Sequence, residues 1–245
     1  MKDIQWLLST PIAHRGLHTA ELPENSMGAF ENAIEHGYPI EMDLHLTDDG
    51  EVVVFHDSSL GRMTGKDGFV ENSSSAILKE LRLLNGEKKP TEYSIPTFAE
   101  FLSMVNGRVP LLIEVKSKSG VGVLEDKIIS LLKDYDGKYA LQSFNPFSIE
   151  RFKNKLPDAP RGILSCFFNK SDLKGRLKRY LLKSLRFNKA AKPDFVSYRA
   201  EDLPNKYVSR SHLPVLAWTV RSNEMKTALS DIANNIIFEN FIPEK

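Results

Sequence analysis

Scarcity is the first guide to this 245-residue chain. It has one cysteine, Cys166, which leaves no intrachain disulfide and fits a reducing compartment. It has no apolar run near the roughly 20 residues of a membrane-spanning helix. Its first residues, Met1 to Leu8, lack the apolar length of a signal peptide and carry Asp3 where such a peptide is basic. A formal charge of +1, with 27% charged residues, gives no global pull towards nucleic acid or membrane, so a small-molecule partner is expected. Linkers rich in Pro, Gly or Ser, internal repeats and low-complexity tracts are also missing. The expectation is therefore one soluble, cytoplasmic domain over residues 1–245, with residues 57–95 as an insertion.

What is present centres on the stretch from Pro39 to Asp57. Ile40-Glu41-Met42-Asp43-Leu44 alternates so that two carboxylates share one strand face and three apolar side chains take the other. Apolar segments recur on both sides, so the strand is expected to be covered on both faces. Two buried carboxylates at i and i+2 stay ionised together only if positive charge lies between them. After Asp48-Asp49-Gly50, read as a tight two-residue hairpin, residues 51–56 form an antiparallel return strand that carries His56 back towards those carboxylates.

Beyond this hairpin the pattern is regular. Strands are expected near 12, 40, 111, 139, 162, 195, 215 and 236, with helices between them. Examples are a helix from Thr97 to Val105, one from Val123 to Tyr135, one begun at Asn145-Pro146, a long one from Asp172 to Phe187 and one from Asn223 to Ala233. Residues 58–94 read as irregular, with a single helix near Ala76 to Leu84. Eight strands alternating with helices imply a parallel (β/α)8, or TIM, barrel carrying an extra hairpin strand. The alternative, an open doubly wound sheet, requires a glycine-rich phosphate turn after the first strand, and His14-Arg15-Gly16-Leu17 is not one.

Catalytic residues of such barrels lie at the C-terminal ends of the strands, and the unusual residues here fall there. His14 and Arg15 end the first strand. Glu41 and Asp43 occupy the second, Glu114 and Lys116 the third, Gln142 and Ser143 the fourth, Tyr198 and Arg199 the sixth, and Trp218 the seventh. Oxygen-only ligands from Glu41, Asp43 and Glu114 favour one hard divalent cation, Mg²⁺ or Ca²⁺. The alternative is a buried ion-pair network with Lys116. Arg15 and Lys116 add fixed positive charge suited to a phosphate. His14 and His56 converge on the same place and make a general acid and base pair.

The strings Ala13-His14-Arg15-Gly16, Pro23-Glu24-Asn25-Ser26, Ile40-Glu41-Met42-Asp43, Thr47-Asp48-Asp49-Gly50, Val53-Val54-Phe55-His56-Asp57, Ile95-Pro96-Thr97, Ile113-Glu114-Val115-Lys116, Gln142-Ser143-Phe144 and Trp218-Thr219-Val220 resemble, in this order, the motif set of glycerophosphodiester phosphodiesterases. The resemblance implies metal-dependent hydrolysis of a glycerophosphodiester to sn-glycerol 3-phosphate and an alcohol. It assigns His14 and His56 as acid and base, Glu41, Asp43 and Glu114 to the cation, and Arg15 and Lys116 to phosphate. Gln142 and Trp218 are placed on the substrate, with Trp218 against its glycerol side. The alternatives are a lipid phosphodiesterase of phospholipase C or D type and a phosphate-binding module without catalysis. One departure is clear: Phe238-Glu239-Asn240-Phe241-Ile242-Pro243 stands where the family often has Thr-Asp-x-Pro, with Glu239 in place of the aspartate.

His45 is expected to hydrogen-bond at the rim and not to bind metal, and Cys166 to be a packing residue. His18, His36 and His212 are assigned no chemistry. Residues 170–192 hold nine Lys or Arg against one acid, Asp172, a net +8 that leaves −7 elsewhere. Leu173, Leu177, Tyr180, Leu181 and Leu185 recur at helical spacing there. The expectation is a barrel-covering helix with solvated lysines; the alternative is a peripheral contact with an anionic membrane or a partner.

Overall fold

The computed structural model describes residues 2–117, 120–171 and 173–244. Along the chain come α1 (Gln5–Ser9), β1 (Ile12–Ala13), α2 (Met27–Glu35), β2 (Ile40–Leu46) and β3 (Val52–Val54). Next are α3 (Gly61–Thr64), α4 (Ser75–Glu80), β4 (Arg82–Leu84), β5 (Pro90–Ser94), α5 (Phe98–Val105), β6 (Leu111–Val115) and α6 (Val123–Leu132). The remainder is β7 (Tyr139–Ser143), α7 (Pro146–Lys155), β8 (Arg161–Ser165), α8 (Arg176–Lys183), α9 (Asn188–Ala191), β9 (Phe195–Arg199), α10 (Lys206–Ser209), β10 (Val215–Val220), α11 (Asn223–Ala228) and β11 (Asn235–Phe238). The sheet order is β1-β11-β10-β9-β8-β7-β6-β2-β3, with β1 also paired to β2. The fold class is thus the closed eight-stranded parallel barrel expected from the sequence, with β3 as the extra strand.

Two compact units divide the chain, Ala13–Tyr139 and Ala140–Lys245 with Met1–Ile12. In the first, β2 lies parallel to β6 with Asp43 opposite Glu114, and antiparallel to β3 with Leu44 opposite Val54. Ile40, Met42 and Leu44 are fully buried on one face of β2, while Glu41, Asp43 and His45 are buried on the other. Local chemistry fixes the ends of its helices. Ser26 Oγ accepts the Ala29 N–H to start α2, and Thr97 and Glu100 form a reciprocal capping box on α5. Gly16 adopts φ +81°, and a Cβ there would meet the Ala29 carbonyl at 2.9 Å, so only glycine lets the loop after β1 lie against α2.

The hairpin turn is longer than expected. Residues 47–51 separate β2 from β3, closed by Thr47 N–H donating to the Glu51 carbonyl at 2.9 Å. The segment after His56 is also more ordered than its sequence suggests. Arg82–Leu84, expected to end a helix, pairs with β5 instead. Val53, Phe55, Leu60, Met63, Val70, Leu78, Leu83 and Ile95 form a hydrophobic cluster of their own beneath it.

In the second unit β7, β8, β9, β10 and β11 are parallel and nearly all buried. The α1 residues Trp6 and Leu7 are buried, and Asn235 Nδ2 donates to the Leu7 and Thr10 carbonyls at 2.8 and 2.7 Å, tying α1 to β11. Cys166 is buried as a packing residue. The helix expected over 172–187 begins at Asp172, outside the described residues, and is broken further on. Between α8 and α9 Leu185 takes φ +58°, which no continuing helix allows.

Candidate active site

All the carboxylates at issue lie in the unit Ala13–Tyr139. Because β2 and β6 are parallel with Asp43 opposite Glu114, the alternation that buries Met42 and Ile113 turns Glu41, Asp43 and Glu114 onto one face. Their exposures are 1, 0 and 6%, and one oxygen from each lies within 4.8 Å of the others. Lys116, just past β6, brings its ammonium to 2.9 Å from Asp43 Oδ1 and 2.6 Å from Glu114 Oε1. Arg15, held at φ +56°, donates its backbone N–H to Glu41 Oε2 at 3.1 Å and sets Nε 3.5 Å from Asp43 Oδ2. Asn25 Nδ2 donates to the same Asp43 oxygen at 2.9 Å.

The electrostatics divide the carboxylates. Burial, together with the negative charge of Asp43 and Glu114, pushes the Glu41 carboxyl well above its ordinary range. Burial acts on Asp43 in the same sense, but Lys116, His56 and Arg15 outweigh it and hold Asp43 well below. Lys116 and Arg15 are raised in turn, since the acids around them overcome the cost of burial. Asp43 is thus the fixed anion of the site, while at Glu41 burial and the neighbouring acids outweigh the positive charge of Arg15 and Lys116.

A chain of polar contacts carries the site outward. His56 Nδ1 lies 2.6 Å from Asp57 Oδ1, and Asp57 Oδ2 accepts from Arg62 Nε at 2.6 Å. Arg62 then grips Glu24 with two N–H donors at 2.6 and 2.8 Å, and Glu24 accepts from Arg15 Nη1 at 2.7 Å. Burial disfavours charge on Glu24, yet the two guanidiniums lower its pKa to about 2. His56 and Arg62 likewise hold Asp57 below the usual carboxylate range against burial. Sequence reasoning gave Glu24, Asn25, Asp57 and Arg62 no role. For Glu24, Asn25 and Asp57 the signal available was their place inside motif strings, with Asp57 directly after a histidine and Glu24-Asn25 directly before a helix cap; Arg62 lies outside those strings.

Of the other expected site residues, His14 follows β1 directly and is half-buried in the same unit. Gln142 is buried in β7, where its Oε1 accepts from Ser197 Oγ at 2.7 Å. Trp218, in β10, meets Phe144 edge to face at 5.6 Å and lines a cleft of about 280 Å³ with Arg199 and Arg221. Its buried indole N–H has no acceptor among the described residues. His45 makes the hydrogen bonds expected of it: Nε2 lies 3.0 Å from the His56 carbonyl and Nδ1 3.2 Å from Glu71. Arg221 pairs with Glu239 at 2.7 Å.

The donor set fits a divalent cation. Three carboxylate oxygens within 4.8 Å of one another match the spacing of ligands around a hard ion with bonds of about 2.0–2.6 Å. Asp43 Oδ1 and Glu114 Oε1 are buried, and their contact is the Lys116 ammonium at 2.9 and 2.6 Å. Among the described residues Lys116 contacts Asp43 and Glu114, and a hard divalent cation coordinated here would engage Glu41 as well.

Comparison with known proteins gives the family. Residues 14–243 match the model of the glycerophosphoryl diester phosphodiesterase family. A glycerophosphodiester phosphodiesterase of Caldanaerobacter subterraneus subsp. tengcongensis is 35% identical over 161 residues, 62% of this chain and 65% of that protein's length. A glycerophosphodiester phosphodiesterase of Bacillus subtilis is 26% identical over 249 residues, 94% of this chain and 83% of its own. Among solved structures, an Oleispira antarctica phosphodiesterase in complex with the product sn-glycerol-3-phosphate superimposes with a TM-score of 0.78 at 24% identity, covering 95% of this chain and 93% of that one.

Proposed function

Because this chain belongs to the glycerophosphoryl diester phosphodiesterase family, we propose that it hydrolyses glycerophosphodiesters to sn-glycerol 3-phosphate and an alcohol. The observation that carries the proposal is the buried triad Glu41, Asp43 and Glu114 flanked by Lys116 and Arg15, an anion-lined cation site beside two fixed positive charges. A phosphodiester is anionic and repels nucleophiles. Lys116 and Arg15 bind and orient its oxygens and neutralise charge as it builds. Glu41, Asp43 and Glu114 would hold a Mg²⁺ or Ca²⁺ ion, which would supply further Lewis-acid neutralisation at the phosphoryl group.

Proton transfer falls to His14 and His56. One imidazole takes the proton of the attacking hydroxyl, the substrate's own glycerol 2-hydroxyl. The other gives a proton to the departing alkoxide, a poor leaving group without it. The resulting cyclic phosphate is opened by water. Asp57 on Nδ1 of His56 leaves Nε2 as the ring nitrogen that exchanges a proton. Gln142 and Trp218 complete the proposed substrate contacts, Trp218 on the glycerol side.

The wider proposal is a single functional domain in the cytoplasm acting on a small molecule, with a peripheral membrane contact through residues 170–192. No helix among the described residues is long and apolar enough to cross a membrane. Incubation with glycerophosphocholine, with and without a chelator, tests the central reading by release of glycerol 3-phosphate. Release that chelation stops supports it. Activity confined to intact phospholipid would replace it with a phospholipase-type enzyme, and metal-dependent anion binding without turnover with a phosphate-binding module.

A further inference from the structure

The contact face over residues 170–192 has a specific shape. Of its apolar stripe Leu185 is buried and Leu173 and Leu181 are half-buried, but no residue of α8 itself is buried and Leu177 is 70% exposed. Tyr180, one turn further on the same face, is 40% exposed and meets Tyr207 edge to face at 6.5 Å. Phe167, also exposed, packs against Tyr207 at 6.3 Å with Lys183 Nζ 5.5 Å over its ring. Exposed aromatic rings interleaved with cations form the kind of surface that settles at a bilayer's headgroup level.

Beside this face is a cavity of about 490 Å³ bounded by residues of α8, α9 and α10. Tyr180 and Tyr207 wall it, and Arg186, Lys189, Lys192 and Arg210 line it. No carboxylate does, and these four cations form no ion pair among the described residues. Elsewhere Arg62, Arg108 and Arg221 are each matched to acids, while the exposed Arg82 stands singly and reaches the Glu92 carbonyl at 3.3 Å; the cavity differs in gathering four such cations around one space. A concave site with four unmatched positive charges is built for an anion.

We infer that this cavity is a socket for the phosphate headgroup of an anionic phospholipid, with Leu177 and the neighbouring rings resting on the bilayer around it. The inference rests on the peripheral contact proposed above and adds where on the protein a lipid headgroup is held. It assigns nothing to the phosphodiesterase site, which takes its substrate independently.

The test is vesicle flotation with phosphatidylglycerol in phosphatidylcholine, using the full chain and two charge-matched double variants. Each basic residue near an anionic surface contributes about 1 kcal/mol, so losing any two costs about 30-fold in affinity. Lys189→Gln with Arg210→Gln, inside the cavity, is expected to weaken binding at least tenfold more than Lys174→Gln with Lys178→Gln, outside it. Turnover of a soluble glycerophosphodiester is unchanged in both, which reports an intact fold. Equal losses overturn the socket and leave a diffuse electrostatic contact. No binding of the wild type to phosphatidylglycerol vesicles at low salt ends both. Uptake of inorganic phosphate by the cavity, with the protein still off the vesicles, makes it a soluble-anion site and overturns the lipid assignment.

Discussion

Asp57 Oδ1 lies 2.6 Å from His56 Nδ1, a contact between neighbours in sequence whose own partner, Arg62, comes from the segment that follows. In the proposed proton transfer, this carboxylate would fix the ring's orientation and tautomer and stabilise its imidazolium form.

Replacing Asp57 by Asn keeps the shape and removes the charge. Asp57→Asn is expected to lower kcat by about 100-fold or more, within the range of general acid–base effects, with KM little changed. Arg62→Gln, one contact further out, is expected to lower kcat less, and Arg62→Lys to recover part of that loss. Steady-state kinetics on glycerophosphocholine separate the three.

His14→Ala and His56→Ala are each expected to abolish turnover while the thermal unfolding midpoint stays near that of the wild type. Near-normal activity in either variant would remove that residue from the proposed acid and base pair.

Glu24 predicts a pH dependence of stability. Its pKa falls from an ordinary 4.5 to about 2 in the folded chain, so the unfolded state binds the proton more readily. The stabilisation is fully present above pH 4.5 and is lost as pH falls towards 2, amounting to about 3 kcal/mol. Urea unfolding from pH 7 to 2 is expected to show Glu24→Gln less stable than wild type at pH 7. The two curves converge at the acid end.

Lys116 sits between Asp43 and Glu114, so Lys116→Gln leaves buried carboxylates with less compensating charge. Breaking such a pair costs about 3–5 kcal/mol. The variant's unfolding temperature is expected to drop in chelator, and added Mg²⁺ or Ca²⁺ to raise it by more than it raises the wild type. An equal metal shift in both proteins would place the ion away from Lys116.

The parts legible in the sequence were those set by period and punctuation. All eight barrel strands lie where alternation and breakers put them, and Ser26, Thr97 and Asn145 cap helices as their side chains require. The pairing of Glu41, Asp43 and Glu114 followed from the i, i+2 spacing on two strands that proved to be neighbours. Residues 58–94 were harder, because pieces of three to six residues are too short for a period to register. The break at Leu185 was hidden by a run of good helix formers, and its left-handed backbone is a tertiary choice. Arg62 and Glu24 are 38 residues apart and meet only in space, so no local pattern announces them.

The hydrophobic cluster beneath residues 57–95 has a bearing on protein engineering. Leu60 and Met63 belong to that cluster and flank Arg62, so the guanidinium that reaches Asp57 and Glu24 is anchored by packing inside the added segment. A loop exchange intended to change which alcohol is released must therefore carry this small cluster along as a unit. A graft that replaces it with flexible chain would leave the barrel standing and the imidazole without its brace.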